Sequence, residues 1–293
     1  MCGIYGYVGK PKNADVLAKF MRILAVVSEA RGIDGTGFFA TSDSELITEK
    51  SAVKASEFYE RSEYYRDSVV NKQCQVFVGH NRNASVGTVN TLNTQPYVGD
   101  EWAIVHNGTM TEAFELATTH RVKSKIEGES DTEAFFRCVE KKGFVKEILS
   151  EVECYSMVAM NFANRELLFA RDLHRPMCIM DLRKTLGVRV FCSTKQLVQD
   201  TIQYTNAAGL TNIKVKKVKS FFTKPLHMYT VDLNTLEFKN LGRYEEDPVI
   251  EVVEPVDYDA EETYEFEHYP DVTGVPAPAT AIGNNPKRVV HGE

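Results

Sequence analysis

The sequence predicts an α+β fold of stacked layers rather than a βαβ repeat. Three observations carry this: an amphipathic helical segment near the start, a second one with a capping signature near the middle, and a series of short β-rich runs clustered away from both. The first segment, residues 14–30 (ADVLAKFMRILAVVSEA), places Val16, Leu17, Phe20, Met21, Leu24 and Val27 at helical spacing, and Arg31-Gly32 supplies a stop. The β-rich runs fall at 75–78, 103–105, 156–162, 167–170, 177–180, 188–191 and 228–231, several bounded by Gly, Asn or Asp turn signals. The second helix is expected over 131–140, where Ser130 can cap and Glu133 stands three residues on, a capping-box pattern. The charged, Tyr-rich stretch 58–66 reads as one more helix. The lysine-rich stretch 214–224 (KVKKVKSFFTK) reads as a lysine-protected edge strand, with a nucleic-acid contact as the other reading.

At 293 residues, 43% hydrophobic and 26% charged, the chain has the composition of an ordinary globular protein with material for a substantial core. No apolar run approaches the ~18 residues of a membrane helix, and no leader pattern opens the sequence, so a cytoplasmic protein with no membrane partner is expected. Cys2, Cys74, Cys138, Cys154, Cys178 and Cys192 show no CxxC pairing, and the seven histidines show no metal-ligand spacing. Reduced thiols, no metal and no cofactor are expected.

The net charge of −7 is unevenly spread. From Glu245 onward 13 acidic residues face two basic ones, −11, which leaves residues 1–244 at +4. Two regions follow: a motif-bearing domain over 1–244, and an acidic, Pro-containing tail over 245–293. The tail is expected to be disordered, or ordered only against a partner, with Val249, Ile250, Val252, Tyr258, Tyr264, Phe266 and Tyr269 as its apolar contacts.

Chemistry enters at the first residues, MCGIYGYVG. A cysteine at position 2 is compatible with a buried strand residue or with a nucleophile. Removal of Met1 would leave Cys2 with both a thiol and an α-amine. An α-amine with an ordinary pKa of ~7.7–8.0 can accept the thiol proton and later return it. The glycines at 3, 6 and 9 would allow close approach around it.

Four further stretches accompany this one: RGIDGTG (31–37), GHNRNASVG (79–87), VHNG (105–108) and ESDTE (129–133). In content, order and spacing the five resemble the glutaminase domain of the class II glutamine amidotransferases, N-terminal-nucleophile (Ntn) hydrolases. The resemblance covers residues 2–240, and NTQP (93–96), ARDLHRP (170–176) and FCST (191–194) also look like family stretches. It implies a four-layer αββα sandwich of two antiparallel sheets flanked by helices.

The resemblance also assigns roles position by position. Cys2 is the nucleophile, while the Asn107 side chain and the Gly108 backbone N–H form the oxyanion pair. Arg82 clamps the glutamine α-carboxylate, Asp131 receives its α-ammonium, and Ser85 with the 82–87 loop completes the pocket. Arg31, Gly32 and Asp34 support Cys2 from behind, and His80 and His106 pack or hydrogen-bond without acting as bases. Each assignment has a plainer alternative: a surface ion pair for Arg82, simple helix capping for Asp131, an Asn-Gly turn for Asn107 and Gly108. Asn83 and Val86 depart from the family pattern, which puts loop closure and glutamine affinity in doubt. No GxxxxGK[ST] or SGGxDS stretch is present to activate an acceptor with ATP. The implied reaction is therefore hydrolysis of glutamine through a Cys2 thioester, with ammonia passed to a separate synthase. Hydrolysis of another amide, or a retired glutamine-binding scaffold, are the other readings.

Overall fold

The computed structural model describes residues 1–42 and 45–244, so the expectations for the tail over 245–293 lie outside the described residues. From the N-terminus, β1 (Gly3–Gly9) leads into α1 (Ala14–Val27), then β2 (Gly35–Thr41) and β3 (Leu46–Ser51). Two short helices, α2 (Ala55–Arg61) and α3 (Glu63–Arg66), precede β4 (Val76–Arg82). Next come β5 (Tyr97–Val98), β6 (Trp102–Gly108), α4 (Ala113–Thr119), α5 (Asp131–Lys142) and α6 (Lys146–Leu149). Four strands follow: β7 (Tyr155–Asn161), β8 (Glu166–Arg171), β9 (Cys178–Leu182) and β10 (Val188–Cys192). After α7 (Lys195–Ala207), the last strands are β11 (Ser220–Phe222), β12 (His227–Val231) and β13 (Phe238–Arg243).

The strands form two sheets, one of seven in the order β11-β9-β10-β1-β4-β2-β3 and one of six in the order β13-β12-β8-β7-β6-β5. Neighbouring strands run antiparallel throughout. Side-chain alternation divides the core into three layers. Tyr5, Tyr7 and Phe77 on the seven-stranded sheet pack outward on α1 and α7, through Phe20, Leu24, Val198 and Ile202. Ile104, Met157 and Leu168 on the six-stranded sheet pack outward on α4 and α5, through Leu116, Phe135 and Phe136. Ile4, Val8, Val78, Val105, Val158 and Phe169 fill the gap between the sheets. Two sheets face to face between helical layers make the expected αββα sandwich.

The expected α1 ends earlier than predicted. Asn13 caps it by accepting from the Val16 N–H at 3.0 Å, and residues 28–31 tighten into a 3-10 turn before Gly32. α5 starts where expected, but the capping box does not close. Ser130 Oγ accepts from the Thr132 N–H at 3.2 Å, while the Glu133 carboxylate turns back to the N–H groups of Glu127 and Gly128 at 2.9 and 2.7 Å. The single helix expected over 58–66 is broken at Ser62, which is extended and caps α3 by accepting from the Tyr65 N–H, so the stretch divides between α2 and α3. β11, inside the lysine-rich stretch, is an outer strand of its sheet. The expectation for the early glycines is corrected. A Cβ at Gly6 would lie 2.3 Å from the Phe191 ring, so that glycine serves sheet packing, while a Cβ at Gly3 meets nothing closer than 3.5 Å.

Candidate active site

β1 is the central strand of its sheet, and its even-numbered residues face the gap between the sheets. That parity turns Cys2 inward, 7% exposed, at the end of the strand. Its Sγ accepts from the Asn83 N–H at 3.3 Å and lies 3.5 Å from the Asn83 carbonyl oxygen. Burial pushes the thiol pKa up despite the Asn83 bond, so an unaided thiol stays protonated near neutrality. The terminal α-amine, here that of Met1, is held below its ordinary value by partial burial, with the Arg31 and Arg175 guanidinium groups acting in the same direction.

Of Arg31, Gly32 and Asp34, Arg31 bonds to Cys2 itself, while Gly32 and Asp34 meet the 82–84 backbone. Arg31 Nε donates to the Cys2 carbonyl at 2.8 Å. Asp34 receives the Ala84 N–H on Oδ2 at 2.8 Å, and its own N–H donates to the Arg82 carbonyl at 2.9 Å. Gly32 lies so close to that backbone that a Cβ would stand 2.5 Å from the Arg82 carbonyl oxygen. The 31–34 turn thus fixes the start of the 83–88 loop, which in turn sets the Asn83 contact to sulfur.

Arg82 ends β4, on the face that Val76 and Val78 direct between the sheets. It is 4% exposed, and its guanidinium donates to the carbonyls of Thr88, Val86 and Gly87 at 2.9, 2.8 and 3.2 Å. Among the described residues no carboxylate lies within ion-pair distance of it. A buried cation satisfied only by carbonyls keeps its full charge for a ligand. Ser85, exposed on the same loop, bonds its hydroxyl to Thr109 Oγ1 at 3.0 Å.

Asp131 is the first residue of α5 and 6% exposed. Its Oδ2 accepts from the Met110 N–H at 2.8 Å and its Oδ1 from the Thr132 N–H at 2.7 Å. The helix N-terminus favours the anion, and among the described residues no cation pairs with it.

Gly108 ends β6 with φ +156°, and a Cβ there would stand 1.6 Å from the Cys154 carbonyl oxygen. Only glycine fits there, and it lines the cavity that holds Cys2. Asn107 has the opposite parity and faces the gap between the sheets, across from Ser156 on β7. It is 1% exposed, and both Asn107 Oδ1 and Ser156 Oγ are buried without a partner among the described residues.

Cys2, Arg82, Asn83, Ser85 and Val86 line one side of a narrow cavity, and Gln95, His106, Gly108, Ser130, Asp131 and Thr132 line the other. Asn107 is not on that lining, although its neighbour Gly108 is. A wider open depression near Asn164, Arg165 and Asp232 contains none of the motif residues.

Both motif histidines are buried and neutral. Burial drives His80 down to about 3, and its Nε2–H donates to the His106 carbonyl at 3.0 Å. His106 is lowered by the same cause, and its Nδ1 meets Thr132 Oγ1 at 3.0 Å.

Sequence reasoning gave no role to Gln95 or Thr132. Gln95 accepts the His106 N–H at 2.6 Å and donates to Thr132 Oγ1 at 3.0 Å, tying β6 to the start of α5. Their position inside NTQP and ESDTE was the available signal. Ser193, inside FCST, fixes β1 by accepting the Ile4 N–H on Oγ at 2.9 Å. Among the described residues no group of three or more His, Cys, Asp or Glu could hold a metal ion, and no helix is long and apolar enough to cross a membrane.

Two antiparallel sheets between helical layers, with the second residue of the chain turned inward on the central strand, define an Ntn-type amidotransferase fold. The family described as class-II glutamine amidotransferases matches residues 24–169, and the chain belongs to that family. Glutamine–fructose-6-phosphate aminotransferase of Streptococcus agalactiae is 31% identical over 149 residues, covering 50% of this chain and 23% of that protein. The Bacillus subtilis protein of the same name is 23% identical over 215 residues, covering 70% of this chain and 34% of its own length. The chain therefore spans about a quarter to a third of these curated relatives. Among solved structures, the glutamine phosphoribosylpyrophosphate amidotransferase of B. subtilis superposes with a TM-score of 0.62 at 20% identity. That match covers 84% of this chain and 50% of the other.

Proposed function

We propose that residues 1–244 form a glutaminase unit that hydrolyses the side-chain amide of free glutamine and delivers the ammonia to an acceptor on a separate synthase. One observation carries the substrate class. A buried guanidinium, Arg82, and a buried carboxylate, Asp131, line the cavity that contains Cys2, and neither has an opposite charge in ion-pair contact among the described residues. An α-amino acid head group presents the complementary pair, a carboxylate for Arg82 and an ammonium for Asp131.

The chemistry then follows from the groups around sulfur. With Met1 removed, the Cys2 α-amine takes the thiol proton as Sγ bonds to the amide carbon. The oxyanion falls to the Gly108 N–H, which lines the cavity, and to the Asn107 amide N–H, whose side chain would have to reach past the present lining; each such donor is typically worth ~2.7–4 kcal/mol of barrier. Return of the proton to nitrogen breaks the C–N bond and releases ammonia, leaving a glutamyl thioester on Cys2. Water, deprotonated by the same amine, adds to the thioester, releases glutamate and restores the thiol. The printed names of the relatives join glutamine to an amino-group acceptor, which supports the ammonia-donor reading.

The test is glutamate formation from glutamine by the full chain, alongside Arg82→Ala and Asp131→Asn. A rise in KM of ~10-fold or more in both variants is expected, from lost charge-assisted bonds. Faster turnover of an amide lacking the α-carboxylate and α-ammonium, unaffected by either substitution, would overturn the substrate assignment.

A further inference from the structure

We propose that residues 249–254 of the chain's own acidic segment dock along the open edge of β11. β11 is the terminal strand of the seven-stranded sheet and pairs on one side only, with β9. The Lys219 carbonyl accepts from the Asp181 N–H at 2.9 Å, and the Thr223 N–H donates to the Met177 carbonyl at 3.0 Å. In an antiparallel ladder the residues between those pairs, Ser220 and Phe222, point their N–H and C=O groups away from β9. An open backbone edge of this kind is a template for another strand.

The surroundings of that edge select its occupant. Lys214, Lys216, Lys217, Lys219 and Lys224 are all exposed, and none forms an ion pair among the described residues. Phe221, between them, is 39% exposed. The complement is an acidic, β-branched segment, and the sequence contains one. Residues 249–254 read Val-Ile-Glu-Val-Val-Glu, four of six β-branched, bounded by Pro248 and Pro255. Segment 245–293 holds 13 acidic residues against two basic ones.

The exit point puts that segment within reach. The Tyr244 N–H donates to the Leu226 carbonyl at 3.1 Å, and Leu226 follows Phe222 by four residues. The span from Leu226 back to Phe222 is therefore at most ~14 Å, and the five residues from Tyr244 to Val249 can cover ~17 Å. Tethering at that distance gives an effective concentration on the order of millimolar, so weak strand pairing suffices.

The full chain is compared with the full-length double variant Ile250→Pro/Val252→Pro, which alters no described residue. Amide hydrogen exchange at Ser220 and Phe222 should be at least ~10-fold slower in the natural chain, with β9 amides equal in both, and higher salt should erode the difference. Zero-length carbodiimide cross-links should join Lys216, Lys217 or Lys219 to Glu251 or Glu254. In a mixture of isotopically light and heavy protein those links should fall within one chain and resist dilution. Equal exchange in the two proteins would overturn the proposal. So would mixed light–heavy links at about half of the total that fade on dilution, the share random pairing of chains gives, which would assign the edge to a second copy.

Discussion

The layer between the two sheets changes character along its length. At one end Val8, Val76, Ala103, Met160 and Leu167 pack against each other, buried and apolar. At the other end the same strands, on the same face, present Cys2, Arg82, Asn107, Ser156 and Arg171, also buried. Side-chain parity is identical at both ends, so the backbone does not distinguish them. What differs is satisfaction: His80 Nδ1, Asn107 Oδ1 and Ser156 Oγ at the polar end have no partner among the described residues. Such atoms typically cost ~1–3 kcal/mol each. The apolar end supplies stability, and the polar end gives some of it up in the layer that carries Cys2 and Arg82.

This contrast can be broken from either end. Cys2→Ala should lower glutamine hydrolysis by ~10³-fold or more while the thermal midpoint stays close to that of the natural chain, checked by glutamate assay and calorimetry. Phe169→Ala, in the apolar layer, should do the reverse. It should cost about 3–5 kcal/mol in a denaturant titration and leave KM for the surviving folded protein unchanged. Asn107→Ala should lower kcat by ~10²–10³ with little loss of stability, because the substitution removes an unsatisfied Oδ1 as well as an oxyanion donor.

A pH effect is smaller and has a definite sign. His80 has a folded pKa of about 3, against an ordinary value of ~6.5 when unfolded. Its neutral form therefore favours folding fully above ~6.5, and that stability drains away as pH falls toward 3, about 2 kcal/mol of it by pH 5. His80→Asn should flatten this part of the stability–pH curve, as read by midpoints between pH 7 and 5. Smallest of all, Ser85→Ala loses one exposed hydroxyl bond and should shift KM by ~1 kcal/mol or less.

Much of the fold was legible because its strands and first helix carry strong apolar patterns. Each of the seven β-rich runs lies in or overlaps a strand, with ends shifted by a few residues. α7 was missed for a physical reason. Its buried face includes Thr201 and Thr205, whose hydroxyls bond back to the Leu197 and Thr201 carbonyls at 2.7 and 2.9 Å, so its periodicity is not written in apolar residues. β2 was hidden because its first residues, GTG, close the RGIDGTG stretch and carry no alternating apolar pattern. At the site, side chains such as Arg82 and Asp131 could be named from motifs. The backbone groups that position them could not: the Asn83 N–H on sulfur bridges 81 residues, and the Met110 N–H on Asp131 bridges 21. Contacts of that separation exist only once the strands are in register.

The central claim is that Cys2, freed of Met1, attacks a glutamine-shaped electrophile held by Arg82 and Asp131. Intact-protein mass spectrometry before and after treatment with a glutamine-analogue diazoketone tests it directly. The expected result is a mass lacking Met1 and a single adduct that maps to Cys2 and is suppressed by excess glutamine. Retained Met1 with no adduct, or an adduct on another thiol such as Cys154, would contradict it.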